Sequence, residues 1–196
     1  PSSVTLSPEL AQNRYIEPAA VENILQILQV EQPQYLFIPA SYNHLLSALA
    51  NYELNTKLII IPDDLPMNPA GSDRQRYAFN YVYGEYAYPL GTTTNLFSPL
   101  ALKYQSTSLR YPADLPASMY QNIGKQASAA VSKVDKPGLY QVIFEQADDG
   151  FKLLKTQPLS LPEVAFLSKV LHINLPGIFT RLFTDNVNND ISNLLV

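Results

Sequence analysis

Four residues have the types and spacing to do chemistry. Ser41 and His44 follow the apolar run YLFIPA at 35–40, and Asp63 and Asp64 follow TKLIIIP at 56–62. In open α/β sheets, ligands gather beyond the carboxyl ends of the strands. If the two runs are neighbouring strands, the four side chains converge there. An aspartate would orient His44, and His44 would activate Ser41 or a water. Alternatively, the two aspartates would hold Mg²⁺. A plainer reading makes Ser41 a helix cap, puts His44 in the first turn of that helix, and lets Asp63-Asp64 open a turn after Pro62. No Gly-x-Ser-x-Gly elbow surrounds Ser41, and no Gly-rich phosphate loop occurs. The plainer reading is therefore preferred, and neither a metal nor a cofactor is expected.

A second set of residues points to binding. RYAFNYVYGEYAYPLG at 76–91 holds Tyr77, Tyr81, Tyr83, Tyr86 and Tyr88. Tyrosine buries a large area with few torsions and keeps a polar tip, which suits contact surfaces. The bland alternative is a half-buried strand with hydroxyls at its rim. Two smaller candidates read as structural. Asp73-Arg74-Gln75-Arg76 forms a solvated turn, and His172 sits near a helix end where positive charge is favourable.

The elements that position these residues are legible in part. Residues 1–17 read as an extended polar arm. Val21, Ile24, Leu25 and Leu28 make one stripe of a helix over 18–30, with Pro18 in its first turn. Residues 35–40 and 56–62 read as buried strands joined by a helix over 42–54, a βαβ unit with a parallel pair. Within 76–91, Tyr77, Phe79, Tyr81 and Tyr83 alternate, and the phase flips after Gly84. That predicts a bulge at Gly84–Glu85, and the alternative is a hairpin turn there. Residues 92–112 read as a long loop with a short strand near Leu100–Tyr104. Residues 113–134 read as a helix with a thin stripe of Tyr120, Ile123, Ala127, Ala130, Val131 and Val134. GLYQVIFEQ, Asp148-Asp149-Gly150 and FKLLKTQ make a hairpin over 138–157. Ser160-Leu161-Pro162-Glu163 is a capping box opening a helix to about Ile173, with Val164, Leu167, Val170 and Leu171 inward. LPGIFTRLF restarts a helix, and Leu194–Val196 form a terminal apolar clip. Prolines at 112–116 mark a possible seam, but 18–196 reads as a single mixed α/β domain.

Composition narrows the function. The 196 residues carry a net charge of -4 with 15% charged residues, no cysteine and two histidines. Absence of Cys excludes disulfides, thiolate nucleophiles and Cys-based metal sites within the chain. The 13 basic residues are scattered, which argues against nucleic acid as partner. No apolar run exceeds the length of LIII at 58–61, far below the ~20 residues of a membrane span. The leading PSSVTLSPEL lacks the pattern of a signal peptide. An exported chain with its leader removed and a cytosolic chain both fit, so the compartment stays open.

KLIIIPDDLPMNP at 57–69, followed by the Tyr-rich strand, resembles the first half of the caspase-like peptidase domains found beside tetratricopeptide arrays. There, a strand ending in Pro-Asp precedes a short Leu-Pro segment. Those enzymes use a His-Cys pair, and with no Cys in the chain nothing carries over. The expectation is an α+β or α/β protein that serves as a non-catalytic structural or interaction subunit of a larger assembly. It would bind protein subunits, its own kind or others, through the Tyr-rich strand and its terminal segments. The alternatives are a small hydrolase-like enzyme using Ser41, His44, Asp63 and Asp64, and a carbohydrate- or peptide-binding module.

Overall fold

A computed structural model describes residues 12–62, 74–96 and 108–184. The chain divides into two compact units, residues 1–61 and 62–196. Both helices and strands are present, with a two-stranded parallel sheet and a five-stranded antiparallel sheet. The mixed α and β class read from the sequence is correct.

The first unit runs α1 (Val21–Glu31), β1 (Tyr35–Pro39), a 3₁₀ turn (Ala40–Tyr42), α2 (Asn43–Leu49) and β2 (Lys57–Ile61). Strands β1 and β2 pair in parallel, with Tyr35 opposite Lys57 and Pro39 opposite Ile61. The expected βαβ unit is there, because a parallel pair needs a crossover and α2 supplies it. Pro18 lies ahead of α1 rather than in its first turn. Its carbonyl accepts the Ala20 N–H at 2.7 Å and the Asn23 side-chain amide at 3.0 Å. Gln32 closes the helix in the left-handed region, donating its N–H to the Leu28 carbonyl. The buried apolar set is small: Leu28, Ile38, Leu45, Leu49 and Ile59. Residues 12–17 lie outside any helix or strand, are exposed, and are tied to α1. The Asn13 amide donates to both Glu31 carboxylate oxygens at 2.9 and 3.0 Å, and the Tyr15 hydroxyl donates to the same group. Residues 1–11 of the arm lie outside the described residues.

The second unit is built on the sheet order β5-β4-β3-β6-β7. Its elements are β3 (Arg76–Tyr83), β4 (Ala87–Leu96), β5 (Ser108–Arg110), α3 (Ala117–Val131), β6 (Gly138–Ala147), β7 (Gly150–Pro158), α4 (Leu161–Leu171) and α5 (Leu175–Thr184). One face of the sheet packs on α3, through Phe79, Tyr81, Val142 and Phe144 against Ile123, Ala127 and Val131. The other face packs at one end on α4 and α5, through Val82, Leu90, Leu139 and Leu159 against Val164, Leu167, Leu175 and Ile178. The alternation of β3 and β6 thus feeds two cores, one per face. Val170 departs from expectation: it is 37% exposed, while Val164 and Leu167 carry the contact.

The hairpins show where a sequence pattern suffices. The β6–β7 hairpin turns at Asp148-Asp149, with Gly150 at φ +139°, as its composition predicts. Ser160 and Glu163 form the capping box of α4. In the β3–β4 hairpin, Gly84, Glu85 and Tyr86 are the turn, so the bulge expected at Gly84–Glu85 is not there and the hairpin alternative is the correct one. The bulge lies further along, where Asn80 opposes Gly91 and Tyr81 opposes Pro89. Gly91 sits at φ +100°, and a Cβ there would meet the Tyr111 hydroxyl at 2.6 Å and its ring at 2.7 Å. The Tyr111 hydroxyl donates to the neighbouring Leu90 carbonyl at 3.2 Å. Thr92, Thr93 and Thr94 belong to β4, not to a loop, and are buried. Their β-branched side chains suit a pleated surface, and Thr94 finds a partner by donating to the Arg76 carbonyl at 2.7 Å. The strand expected near Leu100–Tyr104 and the clip at Leu194–Val196 lie outside the described residues. The proline cluster at 112–116 lies inside the second unit.

Candidate functional site

Ser41 and His44 do follow a strand that pairs in parallel with the strand leading to Asp63 and Asp64, but the two aspartates lie outside the described residues. Ser41 is not the cap of α2. It sits inside the 3₁₀ turn, and the helix cap is Tyr42. The 3₁₀ turn takes up the residues that a direct strand-to-helix step would have used for capping. Both Ser41 and His44 are exposed, and the His44 ring leans on Tyr42 with centroids 6.0 Å apart. Among the described residues, no group of three His, Cys, Asp or Glu side chains could hold a metal ion.

The tyrosines do not form a platform. Tyr77 and Tyr81 are 6% and 3% exposed, Tyr83 and Tyr88 are half-buried, and only Tyr86, in the turn, is 63% exposed. Tyr81 and Tyr83 belong to the α3 face, whereas Tyr88 packs against the α4–α5 core. The phase flip at the turn therefore divides the rings between opposite faces. Burial raises the Tyr77 phenol above its ordinary range, with a smaller contribution from Asp114. Burial also raises Tyr81, against a small opposing effect from its 3.3 Å hydrogen bond with Ser128. Tyr86 is raised by the charge of Glu85 beside it.

The sequence reading missed a file of buried polar groups. Asn80 and Gln141 stand opposite each other on neighbouring strands, 1% and 2% exposed. The Asn80 amide donates to the Gly91 carbonyl and the Thr93 hydroxyl, both at 3.2 Å. The Gln141 amide donates to Glu163 Oε2 at 2.7 Å, which also accepts the Ser160 N–H and hydroxyl at 2.8 Å. Arg76 opens β3 instead of lying in a turn, and it donates Nε and an Nη to Glu145 Oε2 at 3.0 Å. Each carboxylate is thus bound by several donors and serves to join elements. The sequence signal is a polar residue four positions from the next in each strand, Arg76 and Asn80 in β3 and Gln141 and Glu145 in β6, and the register turns these into a file.

The surfaces still open to a partner are strand edges and their neighbours. In the first unit, Ile60 of β2 is 55% exposed, although the apolar run LIII reads as wholly buried. A fully apolar run is buried only where both faces of the sheet are covered. In the second unit, β7 is an edge strand whose consecutive Lys152, Leu153, Leu154 and Lys155 are all exposed.

No family model and no curated protein matches the chain. A solved structure titled "Structure and function of a single-chain, multi-domain long-chain acyl-CoA carboxylase" is similar at 17% identity and a TM-score of 0.47, over 62% of this chain and 12% of that one. A likeness of that size assigns neither fold nor activity. The chain spans only about an eighth of that structure's length. Among the described residues, no helix is long and apolar enough to cross a membrane.

Proposed function

We propose that the protein is a non-catalytic structural or interaction subunit of a larger assembly, with proteins as its partners. The observation that carries this reading is the parallel pair β1–β2. Parallel strands normally lie inside larger sheets with both faces covered. Here the pair has two strands, each burying one residue, Ile38 and Ile59, with Ile60 left 55% exposed. A sheet of two short strands is marginal alone and gains by adding a strand or a covering face. The scatter of the 13 basic residues favours protein over nucleic acid as the partner. The tyrosine stripe contributes Tyr86 to this role and little else, since Tyr77 and Tyr81 serve the core.

The test combines light scattering with hydrogen exchange. The expected result is association, with itself or with a recovered partner, accompanied by slowed exchange of the β1 and β2 amides. A compact monomer that recovers no partner, with β1 and β2 amides already as protected as those of β3 and β6, overturns the reading.

A further inference from the structure

We propose that the outer edge of β7 receives an extended acidic segment of a partner protein as a sixth strand of the larger sheet. This deepens the interaction role by naming the partner's chemistry, and it stands on a different unit from the β1–β2 pair. Strand β7 spans Gly150–Pro158 and, among the described residues, hydrogen-bonds on one side only, to β6. Its outer N–H and C=O groups form a template for strand addition. Leu153 and Leu154 are 43% and 37% exposed, and Lys152 and Lys155 flank them. A bulge falls at this point, since Ile143 opposes Lys155 while Phe144 opposes Leu153. The opposite edge, β5, has three residues and offers far less.

Charge selects the occupant. Two copies of β7 paired antiparallel with their leucines together would set Lys152 against Lys155, and like charges directly opposite repel. The bulge brings Lys152 and Lys155, opposite Glu145 and Ile143, to one face of the sheet, so a strand with acidic residues at alternate positions around one apolar residue meets both lysines with opposite charge and lies along the leucines. The nearby acidic groups leave those lysines available. Glu145, opposite Lys152, is held by Arg76, and Asp148 in the turn pairs with Arg74 at 3.6 Å. Asp149 lies in the turn itself and falls outside the register of the added strand.

The probe is a short, end-blocked peptide with two glutamates flanking a single valine, titrated into the isotope-labelled full chain and followed by amide shifts. Saturable shifts confined to 150–158 and the adjoining strand β6 are expected. Lys152→Glu/Lys155→Glu, at exposed positions, should weaken binding about tenfold or more, and a lysine-flanked peptide should restore it. Absence of saturable binding, shifts elsewhere, or equal affinity for the variant overturns the proposal, leaving the lysines only to keep the edge unpaired. If the peptide fails while the chain still assembles through β1–β2, the edge inference falls and the interaction role stands.

Discussion

The two units solve the same problem with different means. In the second, each face of a five-stranded sheet meets helices, and both alternations of β3 are buried. In the first, a two-stranded pair is joined by a seven-residue helix, and five apolar side chains are buried among the described residues. Sheet stability depends on how many neighbours a strand has, so one sequence pattern of apolar residues yields burial in one place and exposure in the other. Phe144 and Ile60 make the contrast concrete: both lie in apolar strand runs, yet one is 0% and the other 55% exposed.

Substitutions can break or sharpen that contrast. The largest effect is expected from Phe144→Ala, which removes a buried ring packed edge-on to Phe79 at 5.7 Å. A loss of about 3–5 kcal/mol should appear in chemical denaturation of the second unit. Glu163→Ala comes next. It deprives Gln141 and the Ser160 N–H of their acceptor, and a cost of about 1–3 kcal/mol is expected, read by the same method. Gly124→Ala should move stability the other way. Gly124 is helical, and an added Cβ meets only Phe79, at an ordinary 3.7 Å. A gain of about 1 kcal/mol should raise the melting temperature. Ile60→Ser should change the stability of the isolated chain by no more than about 0.5 kcal/mol, while weakening any association through β1–β2. A loss comparable to that of Phe144→Ala would erase the difference between the units.

The smallest effect concerns the arm. Hydrogen bonds from Tyr15 and Asn13 hold the Glu31 carboxyl below its ordinary range. A lowered value in the folded chain favours the attached arm at neutral pH, and this contribution fades as pH falls through that value. The Asn13 side-chain amide signals should collapse toward free-peptide positions in acid. Retention of their neutral-pH positions would show that other contacts hold the arm.

Much of the architecture was readable because local chemistry and tertiary context agree. The turn at Asp148-Asp149-Gly150, the capping box at Ser160 and Glu163, and the parallel pair all follow from short-range patterns. Other elements depend on partners that the chain brings from far away. Thr92–Thr94 look like loop residues until β3 and β5 pair with them. Tyr77 and Tyr81 look like a contact surface until Phe151 packs on the one and α3 on the other. The candidate site fared similarly. Ser41 and His44 were placed correctly beyond β1, but the 3₁₀ turn that takes Ser41 away from capping leaves no mark in the residue types. The exposed Lys-Leu-Leu-Lys of β7 was visible as a strand, while its place at the edge depends on the strand order.

Gly91 carries a consequence for how this protein can vary over time. Its backbone bends in a sense that side chains resist, and the space where one would begin belongs to the ring of Tyr111. Replacement by alanine would have to evict that ring and release its grip on Leu90 at one stroke. Drift at this position is therefore closed off twice, and a change of Tyr111 would lift the crowding without relieving the backbone.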